Sequence, residues 1–227
     1  MPDDTAPNRS DAGREVVKGM SKKSKAKKTR KEAANSIRVG EYGRYQIKSG
    51  RLADAYGARA FPKPPTKARG LIAEATGETE EAAISALRSA IDAREDRRAE
   101  DRRTDPRNGT QVPTSDEYAE ALHSVNLTRP QRAMLMALSL EEAEGLAEVK
   151  VAVAGSYKST TSANRALASV GRMIAGYLSS SGPASKGLST GSDGTALIGY
   201  RDVSEHDEKA ENWIMHPELC AAIRSIT

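Results

Sequence analysis

The residues best suited to do chemistry are the basic side chains of one long acid-free segment. Between positions 149 and 192 the chain contains no Asp or Glu, although its second half is acidic as a whole. Guanidinium and ammonium groups donate hydrogen bonds to phosphate oxygens and to base edges. The segment therefore favours contacts with nucleic acid. Its cations are Lys150, Lys158, Arg165, Arg172 and Lys186.

Residue spacing within this segment predicts a helix over 159–178. At about 100° per residue, its apolar residues share one side, and the opposite arc of about 60° contains Thr161, Arg165, Ala168 and Arg172. An ordinary solvated helix is the alternative, but such a helix usually mixes Glu with Lys on its exposed face. We expect DNA contacts from this helix and the turn before it, namely Lys158, Ser159, Thr161, Asn164, Arg165, Arg172 and Tyr157.

The elements that must position this helix follow a recognisable order. Three helices are predicted before it: one at 115–124, one that begins after a Thr128 cap with Pro130 in its first turn, and one at 146–154. After the long helix come a strand at 196–200, a polar tip at 201–211, a return strand at 212–215 and a last helix at 218–226. A series of helices of which the last is long, followed by a β-hairpin, is typical of a winged helix-turn-helix domain, whose long helix enters the major groove.

Four short motifs carry a resemblance over 115–227. They are LTRPQRAML (127–135), AGSYKS (154–159), ANRALASVGR (163–172) and WIMHPEL (213–219). In this order they resemble a bacterial winged-helix module found in small proteins and appended to HNH-type nucleases. The resemblance implies DNA binding around Lys158, Asn164 and Arg165. The acidic hairpin tip departs from it, because Glu205, Asp207, Glu208 and Glu211 would repel phosphate; the hairpin then faces away from DNA or contacts a protein.

Residues 36–103 are predicted to form a small β-β-β-α domain. Alternation at 37–39 and 45–47 indicates strands, Ser49-Gly50 indicates a turn before the run 52–61, and 71–75 is predicted to be the third strand. Thr79 then caps a helix that ends in charged residues. The stretch GLIAEATGETEEAA (70–83) resembles the small domain of HicB-like antitoxins, which implies a dimerising or protein-binding module; an unrelated α+β scaffold is the alternative.

Charge separates the two halves of the chain. Residues 1–110 hold 25 basic and 17 acidic groups, net +8, and 111–227 hold 10 and 14, net −4. Residues 1–35 are predicted to be a disordered basic arm, which contacts phosphates nonspecifically or serves as a solubilising tail. Residues 104–114, rich in Pro, Asn and Gly, are predicted to be a linker. The clustered basic side chains of the arm that we expect to contact phosphates are Lys22, Lys23, Lys25, Lys27, Lys28, Arg30 and Lys31.

Composition argues against several other classes of protein. The single Cys220 allows no disulfide framework, and we expect it to be a packed small residue. His123, His206 and His216 lack the spacing of metal ligands, and Glu148-Val-Lys150 is too short a match to indicate a nuclease. We therefore expect no enzyme activity, no metal and no cofactor. No apolar run is long enough to cross a membrane, so a soluble cytoplasmic protein is expected.

Together these patterns predict a DNA-binding protein, a transcriptional regulator of bacterial type, whose partner is double-stranded DNA. We also expect the first domain to self-associate or to bind a protein partner. The alternative is an antitoxin-like or nuclease-associated adaptor that binds a protein partner. Trp213 is expected to pack in the core beneath the long helix rather than to stack on bases.

Overall fold

The structure is a computed structural model that describes residues 37–141, 144–179, 188, 194–204 and 207–226. Within these ranges the chain is an α+β protein with antiparallel sheets, which confirms the predicted class. The predicted arm at 1–35 lies outside the described residues. So do the residues Lys22, Lys23, Lys25, Lys27, Lys28, Arg30, Lys31, Lys186, Glu205 and His206.

A four-stranded sheet and a long helix form the first part of the chain. The strands lie side by side in chain order as β1 (Arg38–Tyr42), β2 (Tyr45–Leu52), β3 (Ala55–Pro62) and β4 (Ala73–Gly77). Helix α1 (Glu80–Glu100) follows, and Thr79 caps it as predicted by accepting a hydrogen bond from the Ala82 N–H. The predicted order β-β-β-α is one strand short, because turns at Gly43 and Ala53 divide residues 38–62 into three strands.

The Ser49-Gly50 pair lies inside β2, so the turn predicted there is wrong. The β2–β3 ladder continues to the pair Leu52↔Ala55, and the turn falls beyond it, where Ala53 has φ +54°. The buried Ser49 hydroxyl donates to Glu80 of α1 at 2.7 Å, so its side chain serves packing rather than a turn. A tertiary contact has overridden the local turn preference.

Strand alternation buries one face of the sheet under α1. Tyr45 and Ile47 of β2 and Ala58 and Ala60 of β3 face the helix. Their partners on α1 are spaced four residues apart, so they form a single stripe. That stripe consists of Ala83, Leu87 and Ile91.

The predicted linker contains paired backbone. Strands β5 (Arg103–Thr104) and β6 (Gln111–Val112) form a short antiparallel ladder that is separate from the four-stranded sheet. Within the turn between them Asp105 is fully buried and accepts a hydrogen bond from the Arg107 N–H at 3.0 Å. Arg103 pairs with Glu218 at 2.8 Å and Val112 belongs to the core of the second part, so this stretch packs against the rest of the chain.

The second part of the chain combines five helices with a three-stranded sheet, counted over the described residues. A 3-10 turn (Thr195–Leu197) precedes the hairpin. The helices enclose a core that includes Met134, Leu167 and Trp213. The elements are α2 (Ser115–Ser124), α3 (Arg129–Leu140), β7 (Leu146–Ala147), α4 (Glu148–Ala154), α5 (Thr160–Ser179), β8 (Gly199–Ser204), β9 (Asp207–Met215) and α6 (Pro217–Ile226).

Threonine caps determine where two of these helices begin. Thr114 and Glu117 form a capping box at α2, and Thr128 and Gln131 form one at α3, where Pro130 lies in the first turn. Each box satisfies two backbone N–H groups that a helix start leaves unpaired. The predicted helix at 115–124 and the Thr128 cap are confirmed.

The hairpin after α5 differs from its prediction. Residues 195–197 form the 3-10 turn rather than strand, and the ladder extends into the predicted polar tip, from Gly199↔Met215 to Val203↔Glu211. Polar residues join the ladder because backbone groups, not side chains, make its bonds. In the three-stranded sheet β9 lies between β7 and β8, and β7 pairs through Leu146↔Trp213.

A buried charge cluster joins the two parts of the chain. Arg44, 4% exposed, donates to Glu95 of α1 at 2.5 Å, to Glu120 of α2 at 3.0 Å and to the Leu178 carbonyl of α5 at 3.2 Å. Burial alone would lower the pKa of this guanidinium, but Tyr45 and the two carboxylates outweigh it and raise the pKa. One side chain from the turn between β1 and β2 therefore contacts three helices.

Glu120 is the acceptor at the centre of this cluster. Its carboxylate also accepts from Arg98 at 2.7 Å, from Arg94 at 3.3 Å and from the Tyr177 hydroxyl at 3.0 Å. Burial would raise its pKa, but Arg44 and Arg98 outweigh it and lower the pKa to about 2.

None of the helices described is long and apolar enough to span a membrane.

Candidate nucleic-acid interface

Helix α5 presents a polar face to solvent and an apolar face to the core. Leu167, Val170 and Ile174 are buried, whereas Thr161 and Arg165 are exposed. The first turn contains no acidic residue. An exposed guanidinium on a helix without a neighbouring carboxylate is suited to bind a phosphate or a base edge.

Ala168 is buried, although its helical angle predicts the exposed arc. The segment that begins at Gly194 crosses α5 there, with the Gly194 carbonyl oxygen packed against Gly171. A Cβ added to Gly171 would lie 1.8 Å from that oxygen, so only glycine permits the contact. Arg172 is exposed and borders this crossing segment, so the open part of the face is its first half.

The turn before α5 combines two further predicted residues with a tight backbone. Gly155 ends α4, Ser156 adopts φ +57°, and the Tyr157 N–H donates to the Ala152 carbonyl at 2.8 Å. Tyr157 is partly buried and packs against the core, so only part of its ring is open to a ligand. Lys158 projects into solvent from the same turn.

Ser159 has a capping role. Its hydroxyl accepts from the Ser162 N–H at 3.2 Å, and its carbonyl accepts from the Ala163 N–H at 3.2 Å. These bonds satisfy the start of α5 and orient Thr161 and Arg165 outwards. The side chain is exposed, so capping does not remove it from solvent.

Asn164 turns its amide into the fold. Its Oδ1 accepts from the Trp213 indole N–H at 3.0 Å, and its Nδ2 donates to Glu148 at 3.0 Å. Both ends of the amide are therefore engaged, and Asn164 is better described as a residue that positions α5 than as one that reads bases. Trp213 is 2% exposed, which confirms it as core.

Two residues that sequence reasoning did not assign complete this bonding network. Arg201 of β8 pairs with Glu148 at 3.3 Å and lies over the Trp213 ring at 5.2 Å. The hairpin, α4 and α5 are thus joined around one carboxylate. Glu148 and Arg201 are far apart in the chain and share no motif, so no sequence signal could have linked them.

Charge near the open face is positive. In the part of the chain that the structure describes, Lys158 and Arg165 form no ion pair with a carboxylate. Lys150, on α4, is exposed as well. Glu148, in the first turn of α4, is already shared by Asn164 and Arg201. An incoming phosphate therefore meets cations that have not been neutralised.

The acidic hairpin tip is described only in part. Glu211 is exposed and pairs with Arg201 at 3.4 Å. Glu205 lies outside the described residues, and so do the side chains of Asp207 and Glu208. The expectation that this tip repels phosphate therefore stays a prediction.

Two titratable residues expected to have no catalytic role lie in the interior of the fold. His216 is 1% exposed, its Nε2 lies 2.9 Å from the Ala196 carbonyl, and burial lowers its pKa. Cys220 is buried in the core, as expected. Among the described residues no group of three or more His, Cys, Asp or Glu side chains is arranged to hold a metal.

Comparisons with known proteins add no family to this description. The chain matches no protein-family model, no curated protein and no solved structure.

Proposed function

We propose that residues 115–227 form a winged helix-turn-helix domain that binds double-stranded DNA in the cytoplasm and regulates transcription. The observation that carries the proposal is the exposed start of α5, where Lys158, Thr161 and Arg165 stand without a paired carboxylate in the described structure. The chain there runs helix, turn, helix, and a hairpin follows. In such domains the second helix enters the major groove with its first residues at the base edges.

Dimensions support this docking mode. At ~1.5 Å rise per residue, the distance from Thr161 to Arg172 along the helix is about 16 Å. The major groove is about 12 Å wide and accepts one helix. Arg165, in the second turn, is therefore the side chain best placed for a base edge, and Arg172 falls nearer a backbone phosphate.

Binding to random duplex DNA at two salt concentrations tests the proposal. Replacing Arg165 and Arg172 with Ala is expected to weaken affinity for random duplex DNA at fixed salt, whereas the loss of about 5- to 150-fold for each arginine that binds a base edge applies only to a duplex that carries its target base. For an arginine that binds a phosphate, the substitution instead reduces the slope of log affinity against log salt by about 0.9. Exposed Arg59, on the four-stranded sheet, supplies the matched Arg59→Ala control.

The basic arm needs a separate background, since it can bind DNA nonspecifically. The same substitutions are therefore repeated in a chain whose seven clustered arm cations, from Lys22 to Lys31, are replaced with Ser. Unchanged affinity and slope for the Arg165→Ala, Arg172→Ala variant in that background would refute binding through α5.

Protein interaction through the first part of the chain, in the form of self-association, is the second candidate, and one observation favours it. The face of the four-stranded sheet opposite α1 exposes Ile37, Val39 and Leu52, at 61 to 70%. Apolar side chains grouped on one face favour association, here with a second copy of the chain. Sedimentation of the wild type and of Val39→Glu tests it: a dimer that Val39→Glu dissociates supports self-association, and a wild-type monomer excludes it.

A further inference from the structure

A groove between the β3–β4 loop and the helices of the second part of the chain lies away from the exposed face of α5. Its volume is about 660 Å³, and it opens between the loop at 65–67, the end of α2, α3 and α6. Volumes of ~300–1,000 Å³ are typical of sites for small molecules. No residue of α5 lines the groove, so it is distinct from the proposed DNA surface.

The floor of the groove is apolar and its rim is basic. Leu135 of α3 and Ile223 of α6 contribute buried apolar surface. Lys67, His123 and Arg132 supply the titratable groups, and no Asp or Glu is among the residues that line the groove. Lys67 and Arg132 are exposed, and neither pairs with a carboxylate within the described ranges.

Hydrogen bonds hold the wall that carries Lys67 in place. The Lys67 N–H donates to the His123 carbonyl at 3.0 Å, and the Thr66 and Ser124 hydroxyls lie 3.0 Å apart. The loop is thereby attached to the end of α2. Because these bonds fix the backbone that carries Lys67, the groove is preformed and binds a ligand with a smaller loss of entropy than a mobile loop would.

We propose that this groove binds a small organic anion with an apolar body, such as an aromatic or medium-chain carboxylate. The body buries against Leu135, Met136 and Ile223, and the anionic group lies between Lys67 and Arg132. The positive charge of the rim repels organic cations, and a neutral molecule gains no ion pair there. The site does not depend on DNA binding, so each of the two proposals can be refuted without the other.

Two dyes of similar shape test the charge requirement on the full chain. One is 8-anilinonaphthalene-1-sulfonate, an aromatic anion, and the other is N-phenyl-1-naphthylamine, its neutral analogue. Fluorescence titration is expected to show saturable binding of one anionic dye per chain. The double substitution Lys67→Gln with Arg132→Gln is expected to weaken the affinity for the anionic dye about tenfold, because each exposed cation contributes about threefold. The affinity for the neutral dye is expected to change less than about twofold.

A matched pair of substitutions separates local charge from net charge. Lys48→Gln with Arg59→Gln removes the same charge from the four-stranded sheet, where neither residue lines the groove. This variant is expected to bind both dyes like the wild type. Circular dichroism verifies that both double variants fold.

Competition then tests the class of ligand. Octanoate is expected to displace the anionic dye at lower concentration than octanol does. The proposal is overturned by the absence of saturable binding, by equal weakening of both dyes, by an effect of the sheet variant equal to that of the groove variant, or by equal displacement with octanol.

Discussion

Replacing Glu120 with Gln is expected to lower the free energy of unfolding near neutral pH by about 3 kcal/mol. Glu120 is 9% exposed and accepts bonds from Arg44, Arg98 and Arg94. These cations lower its pKa from 4.5 to about 2. At ~1.4 kcal/mol for each pKa unit, the difference corresponds to about 3 kcal/mol, which agrees with the ~3–5 kcal/mol expected when one partner of a buried ion pair is removed.

The sign of the pH dependence follows from the lowered pKa. The folded chain holds the Glu120 carboxylate deprotonated more strongly than the unfolded chain does. Its contribution is therefore complete above the ordinary pKa and is lost as the pH falls from 4.5 to about 2. The stability difference between wild type and Glu120→Gln should shrink from about 3 kcal/mol near neutral pH to roughly 1.5 kcal/mol at about pH 3.

Urea unfolding measures this difference with two probes. Fluorescence of Trp213, the single Trp, reports the second part of the chain, and far-UV circular dichroism reports both parts. The control is Glu74→Gln, which breaks an exposed pair with Arg59 and should cost less than about 1 kcal/mol. If Glu120→Gln costs no more than the control, or if its cost is the same at both pH values, the assignment of a central role to this carboxylate is wrong.

Two further substitutions address the positioning of α5, both measured by urea unfolding. Gly171→Ala places a methyl group against the Gly194 carbonyl and should lower the free energy of unfolding by about 1–3 kcal/mol. The control, Gly176→Ala in the same helix, places its methyl group in open space and should raise the free energy of unfolding by about 0.5–1 kcal/mol. Similar values for the two variants would contradict the crossing of α5 by the segment at Gly194. Asn164→Ala leaves the Trp213 indole N–H without its acceptor and should cost about 1–3 kcal/mol with a change in Trp emission, and unchanged emission and stability would show that the bond is unimportant.

Helix starts in this chain could be predicted because their signals are local. The predicted Thr128 cap is present, and the structure adds the same local signal at Thr114, which stands three residues before Glu117 as Thr128 stands three before Gln131. The burial of Trp213 was also predictable, because its strand must pack on a helix with an apolar face. The fold class followed from the same local patterns.

Contacts between distant residues explain the parts that were not predicted. Arg44 and Glu120 are 76 positions apart, and nothing near either residue identifies it as a buried ion. Ala168 falls on the polar arc by angle and is covered by a segment that starts at Gly194. Asn164 has the chemistry of a base reader, and only the fold shows that its amide is directed at Trp213. Helical angle gives the direction of a side chain but not what covers it.

The bond from Arg44 to the Leu178 carbonyl has a consequence for how the chain can be divided. A fragment that starts after 114 would keep Glu120, Tyr177 and that carbonyl but lose the guanidiniums that neutralise and cap them. Transplanting the second part onto another protein would require a replacement set of cations at the junction. The two parts are therefore expected to be inherited together, and a fusion that omits the four-stranded sheet should be less soluble and less stable than the whole chain.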